Sequence, residues 1–198
     1  MIPWQKYDEL LRQKLTPKRY EHSIAVMKRS VELAKRYGVD TEKAKLAGLL
    51  HDVMKDEDKR ILLQFIQDSD ILLSVAEKNG PPLWHAMVGL LYVRDVLKIE
   101  DADVLNAIRY HTTGRANMSP LEKVVYLADL TSADRDYPDV EETRKRSEQS
   151  LDIGMLYSIN FLICDLVKKG NMLHQDTVDC YNELIERELN KNGKETER

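Results

Sequence analysis

Two side chains able to hold a metal ion stand back to back in the stretch LAGLLHDVMKDEDK, residues 46–59. An apolar run of Leu46, Ala47, Leu49 and Leu50 leads into His51 and Asp52, and a burst of charge follows. An ionised carboxylate beside an imidazole at the buried end of a helix is costly unless something compensates it. Neighbouring polar groups can do so, and so can a cation. The remaining histidines are His22, His85, His111 and His174. His22 lies in the second turn of its helix, beside an apolar stripe. His85 sits three before Val88 and seven before Tyr92, and His111 three after Ile108 and seven after Val104. Asp129 falls four after Val125 and eight after Leu121, where a core residue is expected. Any one of these alone reads as a packed, internally hydrogen-bonded polar residue. Five such positions turned inward on five helices point instead to one interior site, which a divalent or trivalent cation makes stable. Adjacent helical residues point about 100° apart. His51 and Asp52 therefore share an ion only if it sits off the helix edge, with His22 and Asp129 closing the set. This spacing predicts a metal centre and leaves the reaction open.

The elements that must carry these residues are helical almost throughout. TPKRYEHSIAVMKRSVELAKRYG opens with Thr16 as N-cap and Pro17 at the first helical position, and closes on Gly38. Ile24, Met27, Val31 and Ala34 form its stripe at spacings of three and four. DTEKAKLAGLLHDV repeats the pattern, with Asp40 or Thr41 as cap. Further helices are expected at about 58–67, 83–97, 101–111, 119–133, 139–149, 150–169 and 177–191. The joints at 79–82, 112–120 and 168–176 read as loops from their Gly, Pro and Asn content. No strand and no internal repeat is legible. The sequence predicts a single all-α domain over 1–192, with GKETER (193–198) as a flexible polar tail.

Bulk composition narrows the classes of function. The net charge of -4 argues against a general nucleic-acid binder, which is ordinarily basic. A local basic cluster is still enough to hold an anionic ligand. Cys164 and Cys180 lack paired spacing and read as reduced thiols. The amino-terminal stretch MIPWQKYDELLRQK has charges throughout and no apolar core, so it does not read as a signal peptide. No run of about 20 apolar residues is present, so no membrane span is expected. The expected location is the cytoplasm.

The order His22, His51-Asp52, Asp129 resembles the signature of the HD-domain metal-dependent phosphohydrolases. The closer resemblance is to their YqeK-type branch, the symmetrical bis(5'-nucleosyl)-tetraphosphatases. It is carried by KRYEHSIAVM, LLHDVMKD, PPLWHAMVG, AIRYHTTGR, LEKVVYLADL, DRDYPDVEETRK and KKGNMLHQDTVDCYN, which together span residues 18 to about 182. The motif core covers about 18–135, and a nucleotide-binding part covers about 150–182. The chain departs from the family at TSADR (131–135), where an EPNR-like segment is usual. Arg135 keeps its place there, while the acid at 132 is missing.

The resemblance implies an HD-type helical bundle that splits diadenosine tetraphosphate and related dinucleoside polyphosphates into two ADP by means of a metal-activated hydroxide. It implies His22, His51, Asp52 and Asp129 as metal ligands, with iron as the ion and manganese or another divalent metal as alternatives. Asp52 or Asp129 would orient the hydroxide. His85 and His111 take the positions of phosphate-binding or second-metal histidines, so one metal and two both remain open. Arg19, Arg115 and Arg135 are the candidate phosphate anchors, joined by Lys55, with Thr112 donating a hydrogen bond beside His111. Gly170, Asn171, Met172, Leu173, His174 and Gln175 would line the nucleoside end. The alternatives are another HD phosphohydrolase, such as a 5'-nucleotidase or cyclic-nucleotide phosphodiesterase, and a non-catalytic nucleotide sensor. Aliphatics in DILLSVAEK and SINFLICDLV can support a homodimer.

Overall fold

The structure, a computed structural model, describes residues 4–196, with side chains through 190. In chain order the helices are α1 (Trp4–Lys14), α2 (Pro17–Tyr37), α3 (Thr41–Leu50), α4 (Lys59–Gln67), α5 (Val75–Asn79), α6 (Trp84–Asp95), α7 (Ala102–Arg109), α8 (Pro120–Thr131), α9 (Val140–Gln149), α10 (Leu151–Lys168) and α11 (Gln175–Thr196). A 3-10 turn at Pro81–Leu83 precedes α6, and no strand occurs among the described residues. The all-α expectation holds.

Local chemistry sets most of the boundaries. The Asp40 carboxylate accepts the N–H groups of Glu42 and Lys43 and so starts α3. Ser119 and Glu122 form a reciprocal capping box at the start of α8, as Ser74 and Glu77 do for α5. Gly38 ends α2 in the left-handed conformation, at φ +66°. Thr16 occupies the N-cap position of α2 but does not cap it. Its backbone N–H and hydroxyl both donate to Asp56 Oδ2 at 2.8 Å, tying the helix start to the turn after α3. α1 and the five-residue α5 were not foreseen as helices. α3 stops at Leu50, three residues short of its expected end, and residues 51–56 wind on as turns. α11 runs past 191 to Thr196, so the expected tail begins inside a helix, and residues 197–198 lie outside the described chain.

α8 is the central element. Leu121, Val124, Val125, Leu127 and Ala128 are buried, and the helix touches α2, α3, α7, α9 and α10. A helix apolar on nearly every side belongs in a bundle interior. α2 lies along α3 and α8, while α7 fits among α3, α6 and α8. α9, α10 and α11 form a second layer over α8. The α2–α3 approach depends on Gly48. A Cβ there would clash with Ser30 Oγ and come 3.2 Å from the Met27 Cα. The close approach brings His22 and His51 together, with ring centroids 5.4 Å apart.

Candidate metal centre

Five elements deliver the candidate ligands to one interior point. His22 comes from α2, His51 and Asp52 from the turn closing α3, and His85 from the first turn of α6. His111 lies two residues past α7, and Asp129 lies in the last turn of α8. All four histidines are buried, as is Asp52, and Asp129 is nearly so. This is the convergence that the inward-facing polar positions predicted.

The nitrogens are sorted by their partners. His51 Nδ1 donates to the Gly48 carbonyl at 2.8 Å, His85 Nδ1 to Pro82 at 2.7 Å, and His111 Nδ1 to Ile108 at 2.7 Å. Each acceptor is the carbonyl three residues earlier, so the helix end itself fixes the ring. His22 Nδ1 donates to a carboxylate, Asp134 Oδ2, at 2.7 Å. A carbonyl or carboxylate accepts only, so each Nδ1 carries a hydrogen, and in a neutral ring Nε2 is left as a lone pair.

Those lone pairs face one another and two carboxylates. Asp52 Oδ1 lies 3.0 Å from His85 Nε2 and 3.5 Å from His111 Nε2, and the two Nε2 atoms are 3.2 Å apart. His22 Nε2 is 2.9 Å from Asp129 Oδ1. His51 Nε2 is 3.6 Å from Asp52 Oδ2 and 3.8 Å from Asp129 Oδ1. His51 Nε2 and Asp52 Oδ1 are buried without a hydrogen-bond partner. Burial pushes the His51 pKa down to about 4 and lowers that of His85. Burial also opposes the charge on both aspartates, but the histidines and nearby cations outweigh it and hold both pKa values well below the usual range. His22 goes the other way: burial works against its charge, yet Asp129 and Asp134 outweigh it and raise its pKa.

Neutral imidazole lone pairs around ionised carboxylates, with unpartnered acceptor atoms among them, form a ligand set that fits a metal ion. Two overlapping groups have ligand atoms all within 4.8 Å of one another: His22, His51 and Asp129, and His51, Asp52 and His111. The second brings His111 beside the four expected ligands.

The expected phosphate anchors divide. Arg19 Nη1 stands 3.4 Å from Asp52 Oδ2 at the rim, with its side chain 36% exposed. Lys55 reaches back from the charged turn, with Nζ 3.1 Å from His85 Nε2 and 3.6 Å from Asp52 Oδ1. Arg135 is bound to Asp129, through Nη2 to the carboxylate and through Nε to its carbonyl at 2.7 Å. Arg115 faces Glu122 in a bidentate ion pair at 2.7 and 2.8 Å, which ties it to the cap of α8. His174 is buried with Nε2 3.3 Å from Glu77 Oε1, and Gln175 opens α11.

Two cavities flank the centre. One of ≈ 400 Å³ lies between the α5–α6 turn and the 170–174 loop, which contributes Gly170, Asn171, Met172 and His174. The other, of ≈ 270 Å³, opens between α8 and α10 with Asp129 and His111 in its wall. Thr112 and Leu162 line both, and Thr112 Oγ1 is buried there without a partner. A larger groove of ≈ 710 Å³ on the outer side of α2 contains none of the candidate ligands. Its Arg29 and Arg144 are already engaged by Glu148, Glu141 and backbone carbonyls.

Sequence reasoning missed two supporting acids. Asp134 holds His22 from one oxygen and accepts the Ser132 hydroxyl at 2.7 Å on the other. Both groups lie in the TSADR segment, Ser132 donating to the acid two residues later. Glu77 is buried between Arg109 Nη2 (2.7 Å), the Ser74 N–H (2.8 Å) and His174. Its only sequence signal was the Ser74-to-Glu77 capping spacing.

Comparison with known proteins gives concordant results. The HD domain family model matches residues 19–134. A protein of Halalkalibacterium halodurans named bis(5'-nucleosyl)-tetraphosphatase, symmetrical, is 41% identical over 181 residues, covering 89% of this chain and 94% of its own. A Bacillus subtilis protein of the same name is 39% identical, with 88% and 94% covered. The crystal structure of a predicted HD superfamily hydrolase involved in NAD metabolism from Clostridium acetobutylicum superposes with a TM-score of 0.91 at 38% identity, covering 94% of this chain and 99% of that one.

Proposed function

The chain belongs to the HD-domain family, and on that premise we propose that it hydrolyses diadenosine tetraphosphate, and related dinucleoside polyphosphates, symmetrically into two ADP. The observation that carries the reading is a pair of cavities that share Thr112 and Leu162 beside a cluster of four Nε2 atoms and two carboxylates, the smaller cavity with His111 and Asp129 in its wall. A long anionic substrate with a base at each end suits such a pair better than a mononucleotide does.

His22, His51, Asp52 and Asp129 would hold the ion, which we take to be iron, with manganese also compatible with nitrogen and oxygen donors. His51, Asp52 and His111 offer a second group for a second ion. When bound, such an ion lowers the pKa of a water toward neutrality and draws charge from a phosphoryl oxygen. The protein's side chains divide the remaining work. Asp129 is engaged by His22 and Arg135, so Asp52, whose Oδ1 has no hydrogen-bond partner, is the carboxylate able to accept a hydrogen bond from the attacking water and orient it. Lys55, held by His85, meets the charge of the inner phosphates, and the forked Arg19 guanidinium grips the chain at the rim. His85 and His111 keep this end of the site polar and fixed. Thr112 Oγ1 is free to bond the substrate where the cavities meet. The loop from Gly170 to Met172, with His174 behind it, receives one nucleoside, and Leu173 and Gln175 frame that loop. Arg115 is the weakest of the expected anchors, because Glu122 already engages its Nε–Nη2 edge.

The reading places the enzyme in the cytoplasm. No helix of the described residues is long and apolar enough to cross a membrane, and both cysteines are free. Leu72 and Val75, at 93% and 66% exposed, and Val167, at 60%, are available to a homodimer contact. Hydrolysis in ¹⁸O-labelled water tests the proposed cut. Half of the ADP formed should carry one ¹⁸O, on its terminal phosphate. Label in AMP or in inorganic phosphate would show a different bond being broken.

A further inference from the structure

A cut at the middle of a tetraphosphate requires both ends to be measured from the centre, yet the 170–174 loop lines only one cavity. We propose that the ≈ 270 Å³ cavity between α8 and α10 is a second base subsite, which takes an aminopurine base with Phe161 as its stacking platform. The inference rests on the tetraphosphatase reading and deepens it.

Four observations support the assignment. The cavity borders the reacting centre, with Asp129 and His111 in its wall, and it shares Thr112 and Leu162 with the first cavity. A chain of phosphates crossing between them can send one nucleoside each way. Phe161 is 44% exposed, in a chain with two phenylalanines, and it stands at the cavity beside Tyr137. The rings have centroids 6.1 Å apart and planes tilted by 38°, so neither covers the other face to face. An aromatic face of this kind stacks on any base. Finally, two of the hydroxyls in the wall have their hydrogens committed: Ser158 donates to the Gly154 carbonyl at 2.8 Å and Thr143 to the Asp139 carbonyl at 3.1 Å. They retain acceptor lone pairs, which suit the exocyclic amine of an aminopurine.

The test compares two substrates that share the bond to be cut and differ by one nucleoside: diadenosine tetraphosphate and adenosine 5'-tetraphosphate. With the metal-loaded wild type, kcat/KM should favour the two-base substrate. In Phe161→Ala that preference should fall roughly tenfold, mainly through KM for the dinucleotide. Phe161→Trp should retain it, and its added indole fluorescence should be quenched more strongly by diadenosine tetraphosphate than by the one-base analogue. An unchanged preference in Phe161→Ala, or an equal loss on both substrates, overturns the subsite. A change in sedimentation with the preference intact also overturns it, and assigns Phe161 to a contact between copies of the chain. Absence of any dinucleotide turnover by the loaded wild type is a distinct result, which removes the underlying reading and the subsite with it.

Discussion

His22 differs from the other histidines of the centre in what holds its Nδ1 hydrogen. Three rings lean on carbonyls that the helix ends provide, whereas His22 depends on Asp134, a loop residue steadied by Ser132. Carboxylate support of a metal-binding histidine fixes its tautomer and raises its basicity, and its loss typically costs 10–100-fold in affinity or activity. Asp134→Ala should therefore weaken metal binding by roughly 10–100-fold in a chelator competition, with Asp134→Asn between it and wild type. Equal affinities in all three proteins would leave Asp134 without this role. Glu77 allows a prediction away from the metal. His174 foremost, with Ser74 and Arg109, lowers its pKa from 4.5 to about 2. A carboxyl depressed on folding adds stability that is complete above its unfolded value and disappears as pH falls through its folded one. Urea unfolding of Glu77→Gln should therefore show a smaller loss of stability between pH 5 and pH 2 than wild type shows, the interval being set by those two values. Parallel pH profiles would contradict the assignment. At this scale the candidate ligands were legible because a polar residue on an apolar face breaks a period. Asp134 lies in a loop, where no period exists to break, and Arg115 looked free because chain distance cannot show that Glu122 faces it.

Helix α3 does two jobs through one residue. Gly48 lets α2 approach, and its carbonyl also orients His51. Gly48→Ala forces overpacking against Ser30 and Met27, and such insertions typically cost about 1–3 kcal/mol. Thermal denaturation should show that loss, and Ser30→Gly in the same chain should restore part of it by removing the clashing Oγ. A Gly48→Ala protein as stable as wild type would mean that the helices can separate freely. The long helices were legible because their stripes and caps agree: Pro17 and Gly38 frame α2, and Asp40 starts α3. α5 has five residues, too few to display a helical period. α3 ends early because residues 51–56 turn back to place Asp52 and Lys55 at the centre, a tertiary demand that the local sequence does not display.

For the molecule as a whole, the centre gathers imidazole lone pairs and ionised carboxylates that only a folded chain brings together, so a bound metal should stabilise the fold. Metal at about 1,000 times its Kd adds about 4 kcal/mol. For a chain of this size, that corresponds to a rise in Tm on the order of 10 °C. Differential scanning calorimetry with and without iron or manganese should show such a rise, and His51→Ala should abolish the metal-dependent part. Equal metal-dependent shifts in wild type and His51→Ala would place the ion elsewhere. The fold class and the order of the site residues could be read along the chain, whereas the two cavities could not. They form between α5, α8, α10 and the 170–174 loop, segments far apart in sequence that meet only when the second layer closes over α8. Chromatography of the products of diadenosine tetraphosphate tests whether this architecture performs the symmetrical cut. The chain should yield ADP alone, lose this activity on chelation and regain it when iron or manganese is restored. AMP with ATP as products, or ADP formation that persists without metal, would contradict the account.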